Sequence, residues 1–428
     1  MELKIYKYPE KQEWEALQRR AEWDVSSLFD TVRNILGDVR ANGDEAVRRY
    51  GELFDNVRVT DLLVTKDEIM EAESLIDEEL IDAMIEAKRN IEMFHVLQYA
   101  EGEKIKIRPG ITCWQKPVAI EKVGLYIPGG TAPLFSTVLM LAVPAVDAGC
   151  KEVVLCTPPN SEGKVHPAIL YAAKLAGVSK IVKAGGIQAV GAMAYGTESV
   201  PKVYKIFGPG NRYVVAAKQL VSLMDVAIDM PAGPSEVEII ADGSANPAYV
   251  AADFLSQAEH GEDSQSILVT TSETLAEAVK KEIAKQLSEL PRRDYIEKSL
   301  LHSRIIILKD DAEMIEFTNR YAPEHLIIQT ANYAELSSGI VNAGSVFLGP
   351  YTPESAGDYA SGTNHTLPTK GYAKMYSGVN LDSFMRKVTF QEITEDGLKY
   401  LSSIIEVMAE NEQLLAHKNT VTVRLGDS

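Results

Sequence analysis

Val123-Gly-Leu-Tyr-Ile-Pro-Gly-Gly130 is a short apolar run shut by proline and glycine, and the same grammar returns three times before residue 212. Glu152–Cys156 runs into Thr157-Pro-Pro159, Lys180–Lys183 into Ala184-Gly-Gly186, and Val203–Phe207 into Gly208-Pro-Gly210, each followed by a stretch of helical spacing. A short β-branched run that ends in a turn and then a helix reads as a β-α unit, and four in series imply a parallel sheet covered by helices. A second series places strands at Val237–Ala241, Ser266–Thr270, Arg304–Leu308, Leu326–Gln329 and Ser345–Leu348. The fold class is therefore α/β, with two doubly wound parallel-sheet units. Their common grammar hints at a duplicated architecture, without a repeat at the level of residues.

The flanks read differently. Up to about Gln98 the chain is mainly helical: Thr65-Lys-Asp-Glu68 is a capping-box pattern, and Ile69, Ala72, Leu75, Ile76, Leu80, Met84 and Ile85 recur at helical spacing. After about Gly378 the alternation stops. Leu398, Leu401, Ile405 and Met408 mark one amphipathic helix, which leads to His417 and a strand-like Thr420-Val-Thr-Val-Arg424. One helix and one strand cannot build a core, so this tail is expected to pack on its own chain or on another subunit.

Composition narrows the function classes. With 428 residues the chain is long enough for two or more domains, and 46% hydrophobic with 24% charged residues is the profile of a soluble globular protein. Lys+Arg 43 against Asp+Glu 61 gives a formal net charge of −18, which argues against nucleic acid or an anionic membrane as a primary partner. Cys113, Cys150 and Cys156 show no C-x-x-C pairing, so neither a disulfide framework nor a thiolate metal site is indicated. A reduced, cytoplasmic setting is the expectation, and Cys150 and Cys156, which flank a strand expected to be buried, read as unreactive core thiols. The longest apolar run, Val138–Val146, is too short to span a bilayer, which takes about 20 residues, and reads as a buried helix.

The chemistry gathers around Arg320-Tyr-Ala-Pro-Glu-His-Leu-Ile-Ile328, where Glu324 and His325 put a carboxylate and an imidazole at the mouth of a strand. Imidazole titrates near neutrality and exchanges protons readily, while the adjacent carboxylate can activate water. The bland alternative is an exposed pair ahead of a strand. Gln257 and His260 stand three apart at the end of a helix expected over Pro247–His260, so both can reach one ion, or can simply form a polar cap. Asp358, in a Gly/Ser-rich loop that ends at His365, can add an anionic oxygen, or can be a turn residue. Imidazole, amide and carboxylate donors together suit Zn²⁺, with Mn²⁺ or Co²⁺ as substitutes. The Gly-rich turns follow strands as dinucleotide-binding turns do, although none is the G-x-G-x-x-G fingerprint and plain tight turns remain open.

Several longer motifs carry a resemblance. Ile127-Pro-Gly-Gly-Thr-Ala-Pro-Leu-Phe-Ser-Thr137, Phe207-Gly-Pro-Gly-Asn211, Asp229-Met-Pro-Ala-Gly-Pro-Ser235, Gln257-Ala-Glu-His260, Tyr321-Ala-Pro-Glu-His-Leu326, Ser361-Gly-Thr-Asn-His-Thr-Leu-Pro-Thr369 and Ala416-His-Lys-Asn419 closely resemble the histidinol dehydrogenase family, from Val39-Arg-Ala-Asn-Gly-Asp44 to the tail. The resemblance implies oxidation of L-histidinol to L-histidine through L-histidinaldehyde, with two NAD⁺ reduced, by a homodimer with shared sites. It implies zinc held by Gln257, His260, Asp358 and, from the other subunit, His417. His325 would be the general base, and Glu324 would activate the water that adds to the aldehyde. Ser235, His365 and Glu412 would hold substrate, together with His325 and the zinc ligands, and Tyr126, Gln188 and Asn211 would contact NAD.

On this reading the chain divides into a helical N-terminal arm over 1–24, two incomplete Rossmann-like α/β domains, the first over 25–122 and 237–379 with most zinc and catalytic residues and the second over 123–236 that binds NAD, and a C-terminal dimerisation arm over 380–428. Two alternatives stay open: a related zinc- and NAD-dependent dehydrogenase acting on another small hydroxy compound, and a non-catalytic metabolite-binding protein. Retained Glu412 and His365 favour histidinol in the first case. A base beside a water activator argues against the second.

Overall fold

The computed structural model describes residues 3–21, 25–129 and 132–426. The run that opens the first β-α series forms the strand Lys122–Tyr126, the centre of a five-stranded sheet whose pairings are all parallel. Glu152–Thr157 and Lys180–Lys183 lie to one side of it, Lys205–Phe207 and a short strand Ala227–Ile228 to the other. Helices Phe135–Asp147, Pro167–Leu175, Gly186–Tyr195 and Arg212–Ser222 cover both faces, so the strands are apolar nearly throughout.

The second series behaves alike. Glu236–Ala241 is flanked on one side by Gln265–Thr270 and Arg304–Ile307 and on the other by His325–Gln329 and Ser345–Leu348, all parallel. In each sheet the first strand of the series is central and the order reverses beside it. The shared grammar thus corresponds to a shared topology.

Three expectations are corrected. The segment 1–24 is not simply a helical arm: Lys4–Lys7 adds a sixth strand to the second-series sheet, parallel to Arg304–Ile307, and among its described residues only Trp14–Leu17 is α-helical. Within 25–122, the helices Phe29–Asp55, Lys66–Ser74 and Glu78–Val96 contribute no side chain to the two apolar cores of the six-stranded sheet among the described residues, although Asn90 and His95 bond to Ala360 and Asn364. Their apolar faces, through Val32, Leu36, Val39, Ala72, Met84 and Ile91, enter the two cores on the faces of the five-stranded sheet. Thr420–Arg424 is not a strand; it lies in the helix Leu415–Leu425, which packs on the helix Glu395–Asn411 and has Thr422 hydrogen-bonded to Glu406. The capping box at Thr65 and Glu68 forms as expected.

Strands Ile105–Arg108, Ile111–Ala119 and Met385–Ile393 build an antiparallel three-stranded sheet that ties the C-terminal helices to the body. No helix among the described residues is long and apolar enough to cross a membrane.

The motif Val39–Asp44 has a structural purpose. Gly43, at φ +51°, breaks the long helix, and Asp44 at the restart accepts hydrogen bonds from Thr197, Ser199 Oγ and the Ser199 N–H. Burial works upward on its carboxyl, but these bonds and Arg48 outweigh it and hold the pKa below 3.8. A depressed carboxylate contributes stability that is complete above its unfolded pKa and is lost as pH falls through the folded value. Asp44→Asn is therefore expected to cost about 1–3 kcal/mol at neutral pH. Parallel urea titrations should show this difference from wild type shrinking only below pH 3.8.

Candidate active site

A cleft of about 380 Å³ opens between the two sheets. On one side are Pro128, Gly208 and Asn211, just beyond the C-terminal ends of Lys122–Tyr126 and Lys205–Phe207, where the strand order of the five-stranded sheet reverses. Such a switch point leaves a crevice because neighbouring connections depart to opposite faces. On the other side are Ser235 and His325, at the N-terminal ends of Glu236–Ala241 and His325–Gln329.

Glu324 and His325 are not an exposed pair; they are 5% and 3% exposed. Both are held by the backbone of Glu236 on the neighbouring strand: its N–H donates to Glu324 Oε2 at 3.0 Å, and His325 Nδ1 donates to its carbonyl at 3.2 Å. A carbonyl carries no proton, so this bond fixes the proton on Nδ1 and leaves the lone pair on Nε2. Nε2 is buried, has no hydrogen-bond partner among the described residues, and lies 3.9 Å from Asp358 Oδ1. Burial, reinforced by His260 and His365, pushes the imidazole down to about 3, so the ring is neutral in the resting protein. Burial raises Glu324 well above the ordinary carboxyl range.

Arg20, reaching in from the N-terminal segment, supports this arrangement from behind. Its guanidinium forms a charge pair with the Glu236 side chain and donates to the carbonyls of Tyr321 and Ala322. Ala322 ends the helix Asp311–Tyr321 in the left-handed region at φ +54°, and Pro323 then leads into Glu324. An unusual backbone conformation in a non-glycine residue persists where its surroundings over-determine it.

Beside His325 lies a cluster of metal-ligand type. His260, Glu354 and Asp358 bring donor atoms within 4.8 Å of one another. Gln257, one turn before His260, is fully buried, and among the described residues neither its amide atoms nor the oxygens of the buried Glu354 have a hydrogen-bond partner. Burial pushes Asp358 up to about 7 and Glu354 well above its usual value. Orphaned buried donors and crowded carboxyls are costly unless a cation draws on them. The donor set, imidazole nitrogen with amide and carboxylate oxygens, fits zinc.

The remaining expected residues divide. His365 lies in the cleft, its Nδ1 donating to the Asp358 carbonyl at 3.0 Å and its Nε2 3.1 Å from Thr137 Oγ1. Asn211 lines the cleft and caps the helix Arg212–Ser222, its side-chain oxygen accepting from Tyr213 and Val214. Tyr126 and Gln188 are buried rather than cleft-lining: Tyr126 Oη accepts from Gly186 N–H, and the Gln188 amide has no partner among the described residues. An orphaned amide beside a switch point, with the N-terminal ends of Gly186–Tyr195 and Arg212–Ser222, fits a dinucleotide. Glu412 and His417 stand apart, exposed on the C-terminal helices and outside the cleft. Gly130 and Thr131 of the first motif lie outside the described residues.

Sequence reading missed Glu354, Thr137, Arg20 and Glu236. Glu354 opens a short helix and looks like an ordinary first-turn acid, and Thr137 directly precedes the apolar run Val138–Val146. Cys150 and Cys156 match expectation: burial pushes Cys150 up to about 12, and Cys156 is inaccessible.

Comparison with known proteins decides the family. The model of the family described as histidinol dehydrogenase matches residues 18–425. The chain belongs to the histidinol dehydrogenase family. Histidinol dehydrogenase of Bacteroides thetaiotaomicron is 66% identical over 99% of both chains, and that of Escherichia coli strain K12 is 52% identical over 97% of this chain and 95% of its own. The crystal structure of histidinol dehydrogenase from Elizabethkingia anophelis superposes with a TM-score of 0.97 at 51% identity, covering 99% of this chain and 98% of that one. Histidinol dehydrogenase membership makes the protein an oxidoreductase of histidine biosynthesis, and the match takes in both sheets, the cleft and the C-terminal helices.

Proposed function

We propose that the protein is a cytoplasmic, zinc-dependent enzyme that oxidises L-histidinol to L-histidine by way of L-histidinaldehyde, reducing two NAD⁺ and consuming one water. The observation that carries this reading is the free Nε2 lone pair of His325, held beside Glu324 and a cluster of metal-type donors at a dinucleotide switch point. Gln257, His260 and Asp358, with His417 from a second copy, would hold zinc. Bound zinc would act as a template, gripping the imidazole and amine of the substrate and so fixing the reacting carbon. NAD, contacted by Tyr126, Gln188 and Asn211, would supply the two-electron acceptor for each step.

The chain's own residues then move protons. His325, neutral with Nε2 free, takes the hydroxyl proton in the first oxidation. Glu324 removes a proton from the water that adds to the aldehyde while His325 returns its proton to the carbonyl oxygen, giving a gem-diol and a neutral His325, and a carboxylate with a raised pKa is the stronger base for that task once ionised. His325 takes the next hydroxyl proton in the second oxidation. Ser235 and His365, with Glu412 from the second copy, orient the substrate.

A homodimer accounts for the C-terminal helices. Ile404, Val407, Met408, Leu414, Leu415 and Val423 are exposed there, an apolar face that a monomer rarely leaves in water. Covering it with a second copy would also bring His417 and Glu412 to a cleft.

The decisive test is zinc analysis of purified protein together with NADH counted per histidinol consumed. Two NADH per histidinol, with no aldehyde accumulating, is expected. One NADH, or turnover of small diols in place of histidinol, overturns the reading.

A further inference from the structure

The turn Gly208-Pro-Gly210 at the switch point is held by an ion pair that the mechanism above does not use. Lys218, on the helix Arg212–Ser222, and Asp229, at the end of Ala227–Ile228, meet at 2.6 Å with side chains 5% and 3% exposed. Lys218 Nζ donates to the Gly208 carbonyl at 2.7 Å, and the Gly208 N–H donates to Asp229 Oδ2 at 2.8 Å. One ion pair thus takes both backbone groups of a single glycine. That glycine sits at φ +121°, and a Cβ there would fall 2.1 Å from the Tyr126 carbonyl oxygen. The turn is therefore pressed against the end of the central strand.

Asp229 also begins the segment that crosses to the other sheet. Its Oδ1 accepts from the Met230 N–H at 2.7 Å, and further along the Gly233 N–H donates to Thr369 Oγ1 at 2.6 Å, on the loop that carries His365. Ser235 follows at the far wall of the cleft. A buried ion pair is weak evidence for stability, because apolar residues of similar volume often serve as well. What an apolar pair cannot do is bind an N–H and a carbonyl on one residue and fix both peptide planes.

We propose that Lys218 and Asp229 are positioning residues that lock the Gly208–Gly210 turn to the crossing segment and so preform the dinucleotide wall of the cleft. This rests on the NAD reading given above. A wall ordered in advance spares the ligand the cost of ordering it. Loss of the lock weakens the dinucleotide and leaves the metal cluster, on the other sheet, as it was.

The test uses zinc-loaded, full-length Lys218→Met. NAD⁺ affinity measured by fluorescence titration is expected to fall about tenfold, as loss of preorganisation predicts. Amide exchange at Gly208 and Gly210 should accelerate, while zinc content and KM for histidinol stay at wild-type values. Where that variant fails to fold, Lys218→Met/Asp229→Asn leaves no lone buried charge and should show the same pattern. A folded variant that binds NAD⁺ as wild type does, or that loses histidinol and NAD⁺ affinity equally, overturns the proposal alone. Wild-type protein that does not bind NAD⁺ overturns the underlying reading, and the proposal with it.

Discussion

His325→Asn lowers both oxidation half-reactions by about 10²–10⁴-fold, the usual contribution of a positioned general base, whereas Glu324→Gln lowers chiefly the second. The division follows from geometry. His325 Nε2 is a buried imidazole lone pair beside the donor cluster, without a hydrogen-bond partner among the described residues, and each oxidation begins by removing a hydroxyl proton. Only aldehyde oxidation needs a water made nucleophilic. Asn and Gln keep the approximate shape and polarity of the originals, so packing survives and chemistry is what changes. Single-turnover assays starting from histidinol and, separately, from histidinaldehyde read the two steps apart. In Glu324→Gln, the first assay should stay within a few-fold of wild type while the second collapses, which is the pattern of a group needed in one transition state only. Equal losses in both assays would refute this division.

His417→Ala is expected to lose zinc and most activity although His417 lies outside the cleft of its own chain. His260→Ala fails for the direct reason that an imidazole leaves the donor cluster. Mixing the two inactive proteins under conditions of subunit exchange should then restore activity. A heterodimer contains one site with its own His260 and the other chain's His417, and one site with neither. Random exchange makes half the dimers heterodimers, so about a quarter of wild-type activity should return. Absence of rescue, with heterodimers verified by mass, would place the whole site within one chain.

Much of the fold was legible because β-branched runs closed by Gly or Pro and followed by helical spacing state a β-α unit locally. The strands of both series from Lys122–Tyr126 to Ser345–Leu348 follow that signal, apart from the two-residue Ala227–Ile228. Local signals failed where tertiary contacts outweigh propensity. Thr420-Val-Thr-Val423 is β-branched, yet it is helical against the Glu395–Asn411 helix. Met385–Ile393 is a strand despite consecutive exposed polar residues, since it pairs along its length with Ile111–Ala119.

The residue types of the site were visible in sequence because proton carriers and metal donors are few: seven histidines in 428 residues leave little choice. Sequence alone determined the α/β class, the pairing of Glu324 with His325 and the candidate donors, since each is a matter of side-chain chemistry or short-range spacing. Only the tertiary structure decided that the backbone of Glu236 sets the His325 tautomer, that Glu354 joins His260 and Asp358, and that Arg20 braces the approach to the pair. Apart from Glu354 and Asp358, which share one short helix, those contacts join residues from 89 to 301 positions apart. No local pattern encodes such a separation; burial and strand register bring the groups together.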